Sequence, residues 1–290
     1  MATTKYGIKS LKKDFPNDDK CLDFIFDARH SRKCSCGGTY KRVSGRKQYQ
    51  CSKCRFQIAP TAGTIFHKSD TPLTIWFHAL LVFSNAKSGI SAKYLQRELE
   101  VTYKCAWRIL SLIRKALEQD KTHLSGDVEM DIAYLGGIGK AGKNNEKLSQ
   151  VMKAKSIVVA AVERGGKMRA LLADDAGADT HRRFIARNIL ATRTTRLMTD
   201  GSNRYKNAIA PEKRHSVDHH IGEYVRGDIH INTVETFFAH LKRSIRGTFK
   251  GVSKKHLQSY LDGFVFHYNN RNSDSERFGV LLGSVLRVAR

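Results

Sequence analysis

Three acidic residues, Asp131, Asp200 and Glu235, are candidates for metal chemistry. Asp131 lies mid-strand among apolar residues, where an unpaired carboxylate is costly to bury, and Asp200 ends an apolar run at a place where ligands collect in sheets of this kind. Phosphoryl transfer on nucleic acid needs negative charge neutralised at the attacking, leaving and non-bridging oxygens. Two divalent ions roughly 3.5–4 Å apart supply this neutralisation. Because Mg²⁺, or Mn²⁺ in its place, prefers carboxylate oxygens, the three residues are candidate ligands of a two-metal site. Lys242 lies two helical turns beyond Glu235, on the same predicted helix face.

Each of the three acidic residues also has an ordinary structural interpretation. Asp131 lies in an alternating pattern that fits an outward residue of an edge strand. Asp200 ends an apolar run and precedes Gly201, which is a common turn pair. Glu235 follows Asn232 at the spacing of a capping box, which would make it a helix cap. Spacing alone leaves these alternatives open.

Four cysteines predict a second metal site of different chemistry. They form two close pairs on either side of an alternating stretch with a glycine turn: Cys34, Cys36, Cys51 and Cys54. Four thiolates bind Zn²⁺ tetrahedrally, and this binding supplies much of the folding energy of a small domain. The first pair is one residue shorter than the usual spacing, although Gly37 and Gly38 give the backbone freedom there. We therefore predict a zinc ribbon, with reduced core cysteines as the alternative.

A helical region with a helix-turn-helix pattern follows the cysteines. Thr71 and Pro72 signal a helix start, and Ser91 opens two amphipathic helices separated by a turn at 100–102. The second helix is expected to present a basic outer face, as a helix that reads a DNA groove does. The residues of that face are Tyr103, Lys104, Arg108 and Arg114. Two helices that pack as a connector would show the same periodicity.

From about Asp127 the pattern changes to short strands and tight turns. Three consecutive antiparallel strands are predicted, at 128–135, 156–163 and 168–173. They are followed by a helix at 179–190, strands at 195–199 and 215–219, and a long helix from about 233. This order predicts an α/β fold with a mixed sheet and helices on its faces. It is compatible with a ribonuclease H-like core.

The composition predicts a polyanionic partner. The chain has 290 residues, and 51 Lys and Arg against 27 Asp and Glu give a formal charge of +24. No stretch resembles a membrane span or a signal peptide, so we expect no membrane partner and a cytoplasmic, nucleoid-associated protein. The residues expected to contact DNA are Lys104, Arg108, Arg243, Arg246, Lys250, Lys254 and Lys255. A solvated helix face is the alternative for the C-terminal basic run.

The order of these segments resembles one known family, the zinc-ribbon DDE transposases of bacterial insertion sequences, of the ISXO type in the fifteen-ninety-five group. The resemblance extends from about Cys21 to Arg271. Its motifs are TAGTIFHKSDTPLTIWFHAL, CAWRILSLIRKAL, MDIAYLGGIGK, MTDGSNRYKNAI and HINTVETFFAHLKRSIRGTFKGVSKKHLQSYLDGFVFHYNNR, of which the last is the most specific. One departure is Ile132, because relatives often carry Glu at that position.

The resemblance implies an enzyme of defined chemistry. It makes Asp131, Asp200 and Glu235 the three acidic residues of a ribonuclease H-like core, with Lys242 as the trailing basic residue. It implies a DNA transposase with two Mg²⁺ or Mn²⁺ ions per active site and one structural Zn²⁺. Its partners would be the double-stranded inverted repeats of the element and the target DNA.

Two element ends must be cut and joined in one event, so we expect a homo-oligomer on DNA. The expected organisation is a zinc ribbon at 17–66, a helix-turn-helix region at 67–122, a catalytic domain at 127–272 and a C-terminal tail at 273–290. Two other functions stay open. One is an inactive or domesticated transposase that regulates by binding DNA, and the other is a ribonuclease H-like nuclease that joins nothing.

Overall fold

A computed structural model describes residues 6–117, 119, 122–136, 155–190, 192–202, 205, 208–210 and 213–287. Its helices are α1 (Ile8–Asp14), α2 (Asp18–Arg29), α3 (Leu73–Asn85), α4 (Ala92–Glu98), α5 (Tyr103–Ala116), α6 (Ala178–Asn188), α7 (Asn232–Gly247), α8 (Lys254–Asn269) and α9 (Arg277–Leu286). Its strands are β1 (Tyr40–Arg42), β2 (Tyr49–Cys51), β3 (Gln57–Ile58), β4 (Asp127–Leu135), β5 (Ser156–Glu163), β6 (Met168–Ala173), β7 (Arg196–Asp200) and β8 (Arg214–Val217). In the described part of the chain, every helix falls short of the length or hydropathy that a bilayer-spanning segment needs.

The chain folds as two compact units, one comprising Met1–Leu117 with Asn270–Arg290 and the other Glu118–Asn269. The first unit contains a small antiparallel sheet of order β1-β2-β3, in which Tyr40 lies opposite Cys51. The hairpin predicted from the alternating stretch is therefore present. Tyr49 is fully buried against Phe26 of α2, with the ring centroids 4.1 Å apart. Aromatic packing of this kind fastens the short strands to a helix.

Helices α4 and α5 begin where the sequence predicted. The side chains of Ser91 and Thr102 each accept a hydrogen bond from a backbone N–H in the first turn of the following helix. One residue of the expected outward face is misplaced, since Arg114 is buried and donates to the Ile90 carbonyl at 3.2 Å. A buried guanidinium needs such acceptors, and Ile90 supplies one. Trp107 is instead an exposed residue of α5.

The structure also differs from the expected C-terminal tail at 273–290, because this segment contains α9. Helix α9 packs against α2, α3 and α5 in the first unit. Phe278, Leu281 and Leu282 are buried on one face of α9, which explains why the segment docks. Arg277, only 1% exposed, donates to the carbonyls of Ser84 and Asn270 at 3.3 and 3.1 Å.

The second unit is built on a five-stranded mixed sheet of order β6-β5-β4-β7-β8. Strands β4, β5 and β6 are mutually antiparallel neighbours, whereas β7 and β8 run parallel to β4. The predicted α/β class with a mixed sheet is therefore confirmed. Alternate residues of β4 point to opposite faces, so Val128 and Met130 pack with Phe184 of α6. Ala133 and Leu135 pack on the other face, with α7 and α8.

Candidate functional site

Three acidic residues alternate along β4, so Asp127, Glu129 and Asp131 lie on the same face of this strand. Asp127 accepts hydrogen bonds from Arg196 Nε at 2.7 Å and Nη2 at 2.6 Å. Glu129 pairs with Arg164 Nε at 2.9 Å. Among the described residues, no arginine or lysine forms such a pair with Asp131. Asp131 thus differs from the two other acidic residues on its strand face.

The electrostatic environment of Asp131 brings the sequence-predicted acidic residues into one neighbourhood. Burial raises the pKa of Asp131 to about 7, and the charges of Asp200 and Glu235 add to this rise. A hydrogen bond from the Ile132 backbone amide and the charge of Lys242 act in the opposite direction. A carboxyl group in such surroundings is stabilised in its charged form by a bound cation.

The positions of Asp131 and Asp200 follow from the strand register. Glu129 lies opposite Met198 in the parallel pair β4–β7, so two residues further on Asp131 and Asp200 reach the same level. Neighbouring strands are about 4.8 Å apart. Met198 packs on the face of the sheet that α7 covers. Asp200, two residues further along β7, lies on the same face. Its Oδ1 accepts a hydrogen bond from Ser202 N at 3.1 Å.

Glu235 approaches from the first turn of α7, which packs on β4. The capping box with Asn232 is not formed, because Asn232 is already inside the helix and the N-cap residue has no side-chain cap. Glu129 accepts the amide hydrogen bonds of the first turn instead. The Oε1 atom of Glu235 is 3.7 Å from Nδ1 of His219. Nothing in the sequence pattern had singled out Glu129 or His219.

The donor set suits a hard divalent ion. The carboxylates of Asp131, Asp200 and Glu235 offer only oxygen ligands, which Mg²⁺ and Mn²⁺ prefer. Among the described residues, the four cysteines form a group whose ligand atoms all lie within 4.8 Å of one another, and the three carboxylates do not form such a group. In the described part of the chain Asp131 has no ion pair with a lysine or arginine, and the charges of Asp200 and Glu235 act on it; a bound cation would compensate this negative charge.

The raised pKa of Asp131 predicts how stability depends on pH when Mg²⁺ and Mn²⁺ are omitted. The unfolded chain releases this proton near pH 4 and the folded chain near pH 7, so stability falls as the pH rises through that interval. Asp131→Asn should therefore raise the free energy of unfolding at pH 8 by at most roughly 4 kcal/mol, at about 1.4 kcal/mol per pKa unit.

Thermal unfolding of this variant at pH 4 and at pH 8 checks the expectation. The gain in Tm should be present at pH 8 and absent at pH 4. Asp179→Asn, at an exposed position of α6, is the matched control and should show neither effect. An equal change in Tm at both pH values would contradict the assignment.

The four cysteines form a compact cluster in the first unit. The sulfurs of Cys34 and Cys54 are 3.7 Å apart, and those of Cys36 and Cys51 are 3.4 Å apart. A tetrahedral zinc ion with bonds of about 2.3 Å places its sulfur ligands about 3.8 Å from each other. A hydrogen bond from Tyr40 lowers the pKa of Cys34 to about 6, which favours the thiolate that zinc requires. The cluster can therefore hold zinc.

Two glycines explain how the short first pair reaches this geometry. Gly37 has a φ of +78°, a conformation that L residues with side chains rarely adopt. A Cβ atom at Gly38 would lie 2.6 Å from the sulfur of Cys51. The backbone therefore passes close to the cluster at Gly38, and one residue between Cys34 and Cys36 is sufficient.

The basic residues expected to contact DNA lie on the surface of both units. In the second unit the exposed set is Lys242, Arg243, Arg246, Lys250, Lys254 and Lys255. In the first unit Lys104 and Arg108 are exposed near the start of α5. Exposed aromatic residues accompany them, namely Tyr94, Tyr103 and Trp107. Positive charge interleaved with exposed aromatic rings is typical of surfaces that bind nucleic acid.

Comparison with known proteins adds two findings. Residues 123–269 match the family described as the ISXO2-like transposase domain, and this range includes Asp131, Asp200, Glu235 and Lys242. The chain is also similar to an uncharacterized protein in transposable element ISH50 of Halobacterium salinarum. The two are 29% identical over 234 residues, which cover 75% of this chain and 77% of the relative.

Proposed function

This chain belongs to the family of ISXO2-like transposases, and from that membership we propose that it binds the terminal inverted repeats of an insertion sequence and catalyses DNA strand cleavage and strand transfer. The observation that carries the proposal is the acidic neighbourhood of Asp131. Its carboxyl group lacks a described basic partner, although both other acidic residues on its strand face have one. The charges of Asp200 and Glu235 both act on this carboxyl group.

The architecture supports a ribonuclease H-like core. Three antiparallel strands precede two strands parallel to the first, and helices cover both faces of the sheet. In this arrangement Asp131 and Asp200 lie on neighbouring strands, and Glu235 lies in the first turn of a helix that packs on β4. Groups held on strands and helices are positioned more rigidly than groups on loops.

In the proposed reaction Asp131, Asp200 and Glu235 hold the divalent ions. When bound, two such ions neutralise phosphate charge and ease deprotonation of the attacking group. The chain itself positions DNA, with Lys242 and Arg243 contacting phosphates beside the scissile one. A water oxygen first bonds to phosphorus while the bond to the 3′ oxygen breaks. The freed 3′-hydroxyl then attacks a target phosphate, and because each bond formed replaces one broken, no external energy source is needed.

Recognition of the element ends is assigned to the first unit. Replacing both Lys104 and Arg108 with alanine should weaken binding to an inverted-repeat duplex. It should also reduce the slope of log K against log salt concentration by about two, because each phosphate contact contributes nearly one. Fluorescence anisotropy titrations at salt concentrations from about 50 to 300 mM measure this slope. Lys12 and Lys13 of α1 are also exposed, and replacing both with alanine removes the same charge as a control. A slope equally reduced in both variants would contradict a specific role for α5.

The reaction requires more than one copy of the chain. Each copy carries one acidic neighbourhood, whereas an element has two ends that must be joined to the target together. We therefore propose that a homo-oligomer assembles on the paired ends. Charge on both units should make this assembly sensitive to salt.

A single assay separates this function from its two rivals. Labelled inverted-repeat duplexes are incubated with the zinc-loaded protein, Mg²⁺ and a target plasmid. A transposase yields labelled plasmid, a nuclease yields only cut duplex, and a DNA-binding regulator yields only a shifted complex. Absence of labelled plasmid over a full range of Mg²⁺ and Mn²⁺ concentrations would contradict strand transfer.

A further inference from the structure

We propose that Glu129 is a positioning residue that fixes helix α7, and with it Glu235, relative to strand β4. The proposal rests on the proposed function, because the role it assigns belongs to the same metal-dependent reaction. The side chain of Glu129 is 0% exposed, and it lies two residues before Asp131 on the same strand face. Such residues are about 6.6 Å apart along a strand, so Glu129 lies beside the proposed metal ligands without being one of them.

Both carboxylate oxygens of Glu129 bind the N-terminus of α7. Oε2 accepts from the backbone N–H of Thr233 at 2.7 Å and of Val234 at 3.2 Å, while Oε1 accepts from Thr233 Oγ1 at 3.0 Å. The negative charge also faces the positive end of the helix dipole. Thr233 and Val234 immediately precede Glu235 in the sequence, and Glu129 lies two residues before Asp131. These hydrogen bonds directly join the two elements that carry these acidic residues.

Arg164 makes a second connection from the turn that follows β5. Its Nε donates to Oε1 of Glu129 at 2.9 Å. Its other nitrogens donate to the carbonyl oxygens of Asp228 at 2.7 Å and His230 at 3.0 Å. Asp228 and His230 belong to the segment that leads into α7. The guanidinium therefore compensates the buried charge of Glu129 and also holds the approach to the helix.

Stability alone does not explain a buried carboxylate in this place. A local Ser, Asp or Asn at the N-cap would satisfy the same amides, and burying an ion pair has a desolvation cost of several kcal/mol per ion. A local cap would nevertheless leave the helix free to shift along the sheet. Glu129 is 104 residues from Thr233 in sequence, so its bonds fix the helix to the strand. Groups that share metal ions must be held to within about 0.5 Å.

The test compares metal binding in the full-length, zinc-loaded wild type with that in Glu129→Gln. The amide keeps one acceptor oxygen and places its NH₂ group against either the helix amides or Arg164, so the connection weakens while the side-chain volume stays the same. We expect Mn²⁺ affinity, measured by electron paramagnetic resonance titration, to fall about tenfold, as for other residues that orient metal ligands. The Mg²⁺ concentration at half-maximal strand cleavage should rise by the same factor. Binding of the inverted-repeat duplex without divalent ions should not change.

Asp127→Asn is the matched control. Asp127 lies on the same strand face and pairs with Arg196 at 2.6 Å. Among the described residues its side chain has no hydrogen bond or ion pair with a residue of α7, and it is linked toward that helix through Arg196, which also pairs with Asp228 at 2.7 Å. This variant should lose stability without changing Mn²⁺ affinity. Thr233→Val is a milder change that removes one donor to Glu129, and it should shift Mn²⁺ affinity in the same direction even if Glu129→Gln fails to fold.

Two results would overturn the proposal. One is an unchanged Mn²⁺ affinity in Glu129→Gln and Thr233→Val, in a protein whose wild type binds Mn²⁺ and loses it in Asp131→Asn. The other is an equal loss of affinity in Asp127→Asn. If the proposed function itself is wrong, the result differs: the wild type and Asp131→Asn would then bind Mn²⁺ equally weakly.

Discussion

Strand cleavage by the Asp200→Asn variant is expected to fall by roughly 10³-fold or more, equivalent to about 4 kcal/mol of transition-state stabilisation. Asparagine keeps the size of the side chain but removes the negative charge that a divalent ion requires. Because Asp131 and Asp200 reach the same level on neighbouring strands, the Asp131→Asn variant should show the same loss. Strand transfer should disappear with cleavage, since both steps use one set of ligands.

Gel assays with an end-labelled inverted-repeat duplex measure this loss. Binding of the duplex without divalent ions should equal that of the wild type, which shows that the fold and the DNA-binding surfaces are intact. Asp179→Asn, an exposed carboxylate of α6, is the control for loss of one negative charge and should cleave normally. Retention of more than about a tenth of the wild-type rate in Asp200→Asn, a barrier change of no more than about 1.4 kcal/mol, would refute its role as a metal ligand.

Replacing Cys51 with serine is expected to remove the stoichiometric zinc and to unfold the ribbon around β1, β2 and β3. Zinc in small thiolate sites contributes on the order of 10 kcal/mol of binding free energy, which acts as folding free energy. The strands have only three, three and two residues. They cannot supply a comparable amount by packing alone.

Zinc content by atomic absorption and limited proteolysis of the ribbon measure this effect together. Cys105→Ser is the matched control, because Cys105 lies on α5, with its sulfur 3.4 Å from Thr71 Oγ1, outside the cluster. That variant should keep one zinc ion and the protease resistance of the wild type. A Cys51→Ser protein with full zinc and an intact ribbon would rule out the four-cysteine site.

The sequence predicted the elements whose residues interact locally. Strand β5 and the hairpin to β6 could be read from an apolar run and a pair of glycines, because both signals lie within a few residues. The start of α4 followed from Ser91 and that of α5 from the turn predicted at 100–102. In the structure the side chains of Ser91 and Thr102 accept hydrogen bonds from the first turn of the helix that follows. Strand β4 with Asp131 at its middle was predicted for the same reason.

Interactions between distant residues could not be predicted in this way. The pair Asn232 and Glu235 fits a local cap. In the structure, however, Glu129 on strand β4 accepts the hydrogen bonds of the first backbone amides of α7. Periodicity placed Arg114 on the outer face of α5, whereas its side chain is buried and donates a hydrogen bond to the carbonyl of Ile90. In each case a tertiary partner prevails over a local pattern, and spacing along one chain does not contain that partner.

Metal-directed cleavage of the chain tests most directly whether Asp131, Asp200 and Glu235 bind ions together. Fe²⁺ replaces Mg²⁺ in the zinc-loaded protein, and ascorbate with peroxide then generates hydroxyl radicals that cut the backbone beside the bound ion. We expect fragment ends clustered near these three residues, suppressed by excess Mg²⁺ and absent in Asp131→Asn. Cuts at other places, with none near the three residues, would contradict a shared metal site.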